Sequence, residues 1–154
     1  MERPVSTFRL DGRTALVTGA SRGIGRAIAS AYAEAGADVA LVARDAEKLA
    51  ETAALVEAAG RRAVVLPCDV TDIEAVQASV GRAVSELGHV DILVNNAGGN
   101  SFSMPLAGMR FSGWEKTMRL NLDSVVHVTQ ALLPHLLERK SGVIVNVSSV
   151  AGLR

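Results

Sequence analysis

The stretch "TGASRGIG", Thr18 to Gly25, decides how this chain folds. It follows an apolar run, TALVT (Thr14 to Thr18), and opens a segment of helical period from Gly25 to Ala35. At a turn from strand to helix each glycine has its own task. Gly19 allows the tight turn, Gly23 lets the backbone approach an anion such as a pyrophosphate, and Gly25 permits close packing of helix on strand. A helix starting here offers unpaired N–H groups and a partial positive charge to that anion. A glycine pattern alone is weak; its place between a strand and a helix gives it weight. The plain alternative is a glycine turn that binds nothing.

The alternation continues outward from this loop. DVALVA (Asp38 to Ala43), RAVVLP (Arg62 to Pro67), VDILVN (Val90 to Asn95) and GVIVNVS (Gly142 to Ser148) are short and apolar on both faces, as strands covered on two sides must be. Between them Ala46–Ala59, Asp72–Leu87 and Gly113–Arg139 are long enough for helices. Thr71 with Glu74, and Ser112 with Glu115, have the spacing of capping boxes. Gly36, Gly60 and Gly88 stand where helices should stop. The last helical segment carries Trp114, Met118, Leu122, Val125, Thr129, Leu132 and Leu136 as a core-facing stripe, and Pro134 should kink or break it near its end. Strand–helix alternation predicts one α/β domain over residues 1–154, with a doubly wound, Rossmann-like parallel sheet of five strands. The expected strand order is 3-2-1-4-5, with a crevice at the carboxyl ends of the first and fourth strands.

Composition excludes other classes. Hydrophobic residues make up 49% of 154, so a packed core is expected. Basic and acidic residues balance at 16 each, which gives no field for nucleic acid or an anionic membrane. The opening MERPVSTFRLDGR has no apolar h-region, and no run reaches a membrane span, so neither a signal peptide nor a membrane partner is expected. A single cysteine, Cys68, fits a reducing cytoplasm, and the three histidines show no metal-ligand spacing.

The spacing Thr-Gly-x-x-x-Gly-x-Gly resembles that of the classical short-chain dehydrogenase/reductase family. Other matches follow in order: CDV (Cys68 to Val70), NNAG (Asn95 to Gly98), Asn121 within LNL, and NVSSVAG (Asn146 to Gly152). The resemblance covers essentially the whole chain and implies a nicotinamide dinucleotide. It places Gly19, Ser21, Arg22, Gly23, Ile24 and Gly25 on the cofactor. Asp69 would meet the adenine amino group and Val70 the ring, and Asn95, Asn96, Ala97 and Gly98 would line the site. The coenzyme is argued from the second strand, which ends LVARD. NAD-dependent relatives place an aspartate where Ala43 stands, and Arg44 follows it. With Arg22, Arg44 suits a 2′-phosphate, so NADP is expected ahead of NAD. Asp45 competes as a ribose acceptor but reads as the N-cap of the next helix.

The same resemblance implies hydride transfer to or from a carbonyl or alcohol carbon. Ser149 matches the serine that hydrogen-bonds the reacting oxygen, and Asn121 the asparagine of the proton relay. The family's Tyr-x-x-x-Lys is not found: Tyr32 is the only tyrosine, with Gly36 four residues on. The sequence therefore resembles the N-terminal part of such an enzyme, truncated on the C-terminal side and expected to be inactive alone. The alternative is a non-catalytic nucleotide-binding module or pseudoenzyme. A serine hydrolase using Ser149 with His127 or His135 lacks the Gly-x-Ser-x-Gly elbow. Gly98 to Phe111 would wall the substrate site, with Phe102, Met104, Leu106 and Met109 facing an apolar substrate portion or simply covering the sheet edge. Homodimers or homotetramers are the expected assemblies of the complete protein, and a small carbonyl or alcohol compound its substrate.

Overall fold

The apolar runs become strands. A computed structural model describes residues 8–100 and 105–150. In it β1 (Thr14–Thr18), β2 (Asp38–Ala43), β3 (Ala63–Pro67), β4 (Ile92–Asn95) and β5 (Val143–Asn146) are all parallel. Among the described residues they form one sheet in the order β3-β2-β1-β4-β5, as the alternation predicts. The connecting helices are α1 (Gly23–Glu34), α2 (Ala46–Ala58), α3 (Ile73–Leu87), α4 (Phe111–Met118) and α5 (Ser124–Arg139).

The two-residue side-chain period of a strand feeds two cores. Leu16, Val42, Leu66 and Leu93 meet Val76 and Val80 of α3 and Val128 and Leu132 of α5 on one face. Val17, Val39, Leu41 and Val94 meet Ala29 and Ala33 of α1 and Leu49 and Val56 of α2 on the other. Each fully buried valine or leucine contributes about 1.5–3 kcal/mol. β5 departs from the expectation of two-sided burial. Val143 is 56% exposed and Ile144 39%, because among the described residues β5 has a strand neighbour only at β4.

The amino ends of the strands are fastened by buried carboxylates. Asp91 accepts from the Thr14 N–H at 2.9 Å and pairs with Arg13, His89 and Arg139. Asp38 accepts from the Arg62 N–H at 3.0 Å and pairs with Arg61 and Arg62. Buried charge of this kind needs both ion partners and hydrogen bonds, and each site has them.

Several local expectations change. The capping box at Thr71 does not form. Asp72 caps α3 by accepting from the Ala75 N–H at 3.1 Å, while the Thr71 hydroxyl donates to Asp69. Ser112 lies inside α4, whose N-cap is Arg110 without a side-chain bond. The long last segment is three pieces: α4, a π-turn at Arg119–Asp123, and α5, which continues through Pro134 without breaking and ends at Lys140 with φ +52°. A π-turn inserts a residue and rotates the face that follows. The buried stripe is accordingly Ser124, Val128, Leu132 and Leu136, while Trp114 and Leu122 are exposed. The expected stops hold: α1, α2 and α3 end beside Gly36, Gly60 and Gly88.

Candidate functional site

The carboxyl ends of β1, β2, β3 and β4 open onto a cleft of about 750 Å³. Its floor is the turn from β1 to α1. Gly19 takes φ +67°, and a Cβ there would lie 2.9 Å from the Asn96 amide nitrogen and 3.0 Å from Ala97 Cα. Gly23 takes φ +55°, yet a Cβ there would meet nothing within 4 Å. The backbone at Gly23 therefore borders open space, as a surface that receives a ligand must. Gly25 does not line the cleft. Its missing Cβ makes room for the Gly19 carbonyl just past β1 and for the Asn96 side chain, so α1 can approach the ends of β1 and β4 closely. Ser21, Arg22, Gly23 and Ile24 line the cleft, and Gly25 is buried behind them.

Thr18, to which the sequence assigned no role, assembles the central turn. Its hydroxyl oxygen accepts from the N–H groups of Asn96 at 3.0 Å and Ala97 at 2.9 Å, and the Asn96 side chain donates back to the Thr18 carbonyl at 3.1 Å. The hydroxyl stands 3.4 Å from the Val94 carbonyl. Asn96, Ala97 and Gly98 thereby face the cleft. Asn95 does not line it. Its side chain is buried and donates to Asn146 at 2.9 Å and Thr129 at 3.2 Å, tying β4 to β5 and α5. The strand end explains the difference: Asn95 is the last residue of β4, while Asn96 begins the loop held by Thr18.

Charges concentrate at the β2 end. Ala43, Arg44, Asp45 and Lys48 line the cleft there, with Arg22 across from them on the loop. Asp45 is the N-cap of α2, as expected, accepting from the Lys48 N–H at 3.1 Å. Its second oxygen pairs with the Lys48 ammonium at 3.2 Å. The Lys48 backbone and side-chain bonds hold the Asp45 carboxyl below its usual range. Lys48 was missed; its signal was its place three residues after a helix cap. Asp69 lines the cleft at the β3 end, accepting from the N–H and hydroxyl of Thr71 at 2.9 and 2.8 Å. The Thr71 N–H is the main reason its carboxyl is also lowered, opposed by partial burial and helped by Arg44. Val70 and Cys68 complete this wall, and burial pushes the Cys68 thiol up, away from nucleophilic use.

Asn121 sits in the π-turn. It accepts from the Gly99 N–H at 2.9 Å and donates to the carbonyls of Gly99 and Thr117, each at 2.8 Å. It thus closes the chain leaving β4 onto the helix. Ser149 follows β5, whose Asn146 pairs with Asn95 and whose Val147 N–H donates to the Asn95 carbonyl at 2.9 Å. Ser149 therefore follows the carboxyl end of β5, the strand paired with β4. Asn121 and Ser149 are not among the residues lining the cleft itself. Phe102, Met104 and Gly152 lie outside the described residues; Leu106 is exposed in a short 3-10 turn, Leu106–Gly108. His135 accepts from the Val90 N–H at 3.1 Å, at the opposite end of β4 from Ser149, which removes it as a hydrolytic base. Tyr32 is on α1 against the second core. Among the described residues no group of histidine, cysteine and carboxylate side chains could hold a metal ion, and no helix is long and apolar enough to cross a membrane.

A parallel sheet in this strand order, with helices on both faces and a glycine turn leading into the first helix, is a Rossmann-like α/β domain. The chain belongs to the short chain dehydrogenase family, whose sequence profile matches residues 13–154. It is 46% identical over 152 residues to a rhamnolipids biosynthesis 3-oxoacyl-(acyl-carrier-protein) reductase of Pseudomonas aeruginosa, covering 95% of this chain and 58% of that protein. It is 43% identical over 143 residues to a fatty acyl-CoA reductase of Acinetobacter baylyi, covering 92% and 48%. The crystal structure of carveol dehydrogenase from Mycobacterium avium in complex with NAD superposes with a TM-score of 0.91 at 36% identity, covering 96% of this chain and 58% of that one. The chain spans about half the length of the curated relatives it matches.

Proposed function

We propose that the complete protein is an NADP-dependent oxidoreductase that transfers hydride between a nicotinamide and a carbonyl or alcohol carbon of a small molecule. The observation that carries the coenzyme choice is the charge at the β2 end. Arg22 and Arg44 line the cleft, Ala43 supplies no carboxylate, and Asp45 is already engaged by Lys48. A 2′-phosphate placed there meets the two guanidinium groups. The cleft's volume and the unobstructed backbone at Gly23 suit a dinucleotide pyrophosphate against the α1 N-terminus. Bound, the dinucleotide supplies the hydride acceptor or donor. Asp69, kept ionised, would accept from the adenine amino group, and Val70 would pack on the ring.

Ser149 would donate its hydroxyl to the reacting oxygen, and Asn121 would steady the proton relay from the π-turn. The family's tyrosine and lysine are not within residues 1–154, so this polypeptide alone is expected to be inactive. A homodimer or homotetramer in the cytoplasm completes the proposal. The coenzyme is tested by calorimetric titration with NADP and NAD. Each arginine should contribute about 1.5–3 kcal/mol to the 2′-phosphate, and Arg44→Ala combined with Ala43→Asp should reverse the preference. Equal affinities in the parent would refute the choice of NADP.

A further inference from the structure

A fourth basic residue, Arg26, stands near the phosphate loop without lining the cleft. It projects from α1 toward α2. Its Nε donates to the Thr52 hydroxyl at 3.1 Å, and its Nη2 donates to the Ser21 carbonyl at 2.7 Å, the Lys48 carbonyl at 3.3 Å and the Glu51 carboxylate at 2.8 Å. Thr52 is fully buried, and its hydroxyl lies 2.9 Å from the Ala20 carbonyl and 3.2 Å from that of Lys48. The Ala20 N–H donates to the Val42 carbonyl of β2 at 3.2 Å. The loop is therefore stitched from behind to both β2 and α2.

We infer that Arg26 and Thr52 are positioning residues that hold this loop in its anion-binding form. In a trans peptide the carbonyl and the following N–H point in opposite directions, and the described residues contain no cis peptide. Fixing the Ala20 and Ser21 carbonyls against Thr52 and Arg26 therefore turns the N–H groups of Ser21 and Arg22 the other way. Both residues line the cleft on that side. Glu51 already balances the Arg26 charge, so the guanidinium works through its fork of donors and not as a distant cation. Because the clamp also holds the Lys48 carbonyl, it sets the loop in register with the turn of α2 that carries Asp45 and Lys48.

The proposal rests on the dinucleotide reading of the cleft but not on NADP over NAD, so the probe is ADP, which carries the shared pyrophosphate. Purified parent, Thr52→Val, Thr52→Ser, Arg26→Lys and the Thr52→Val/Arg26→Lys double variant are titrated with ADP, and each is melted without ligand. Thr52→Val and Arg26→Lys should each weaken ADP binding by about tenfold or more, the scale of one lost hydrogen bond to a charged group. Thr52→Ser, which keeps the hydroxyl, should bind like the parent. The double variant should be little worse than either single one, because both cut the same link. Parent-like ADP affinity in Thr52→Val or Arg26→Lys would overturn the clamp. So would losses in binding that simply follow the melting temperatures, Thr52→Ser included. A parent that does not bind ADP at all would instead remove the dinucleotide reading, and the clamp with it.

Discussion

Gly25→Ala and Gly23→Ala form a matched pair in which one added methyl group should do two different things. At Gly25 the new Cβ would drive into the Gly19 carbonyl and lie 2.6 Å from the Asn96 amide nitrogen. Neither neighbour gives easily, since one is backbone and the other donates to the Thr18 carbonyl. Overpacking of this kind costs about 1–3 kcal/mol, and a first-turn alanine recovers at most about 1 kcal/mol of helix propensity. The expected net loss is about 1–2 kcal/mol, with the melting temperature falling about 2–4 °C per kcal/mol. At Gly23 there is space for the methyl group, but φ is +55°. An L-residue held there costs about 1–2 kcal/mol, and its Cβ would stand where the cleft is open. The two should therefore be similar in stability loss. Gly23→Ala should weaken dinucleotide binding directly, and Gly25→Ala should do so by shifting the loop. Denaturant unfolding and calorimetric titration read both quantities. A Gly25→Ala protein with parent stability and affinity would show that the Gly19–Asn96 packing is slack. Parent-like affinity in Gly23→Ala would show that no ligand approaches that backbone.

Asp91→Ala should destabilise by about 1.5–3 kcal/mol, since the Thr14 N–H and the partners Arg139, Arg13 and His89 lose their shared acceptor. Burial alone would raise this carboxyl, but the Thr14 N–H, His89 and Arg139 bring it below its usual value. A group depressed on folding stabilises above its unfolded pKa of about 3.9, and that stability is lost as pH falls through the lower folded value. The acid limb of stability against pH should thus be shallower in Asp91→Asn, as urea titrations across pH 2 to about 6 would show. Polypeptide 1–154 assayed for NADPH oxidation with a panel of ketones should turn over below about 1% of a chain that continues through Tyr-x-x-x-Lys, because a positioned general acid contributes about 10²–10⁴. Comparable rates, abolished in both by Ser149→Ala, would reveal another proton donor.

What was legible in the sequence is what short-range chemistry dictates. Apolar runs on both faces predict buried parallel strands, and the glycine spacing predicts the turn at Gly19. An aspartate one residue ahead of a helical run predicts the Asp45 cap. Each depends on a few neighbouring residues, so a local pattern suffices. The tertiary structure decided the cases where two local solutions were equally good and a distant group chose between them. The stripe over Gly113–Arg139 has a plausible phase at every point, but the π-turn at Arg119–Asp123 resets it. Asn95 and Asn96 are adjacent and chemically identical, and only the sheet sends one toward Asn146 and the other into the cleft. Arg26 reads as one more cation beside a phosphate loop until α2, folded against it, supplies Thr52 and Glu51 as partners. A side chain's donors are written in its own residue, but their acceptors come from chain segments brought close only by folding.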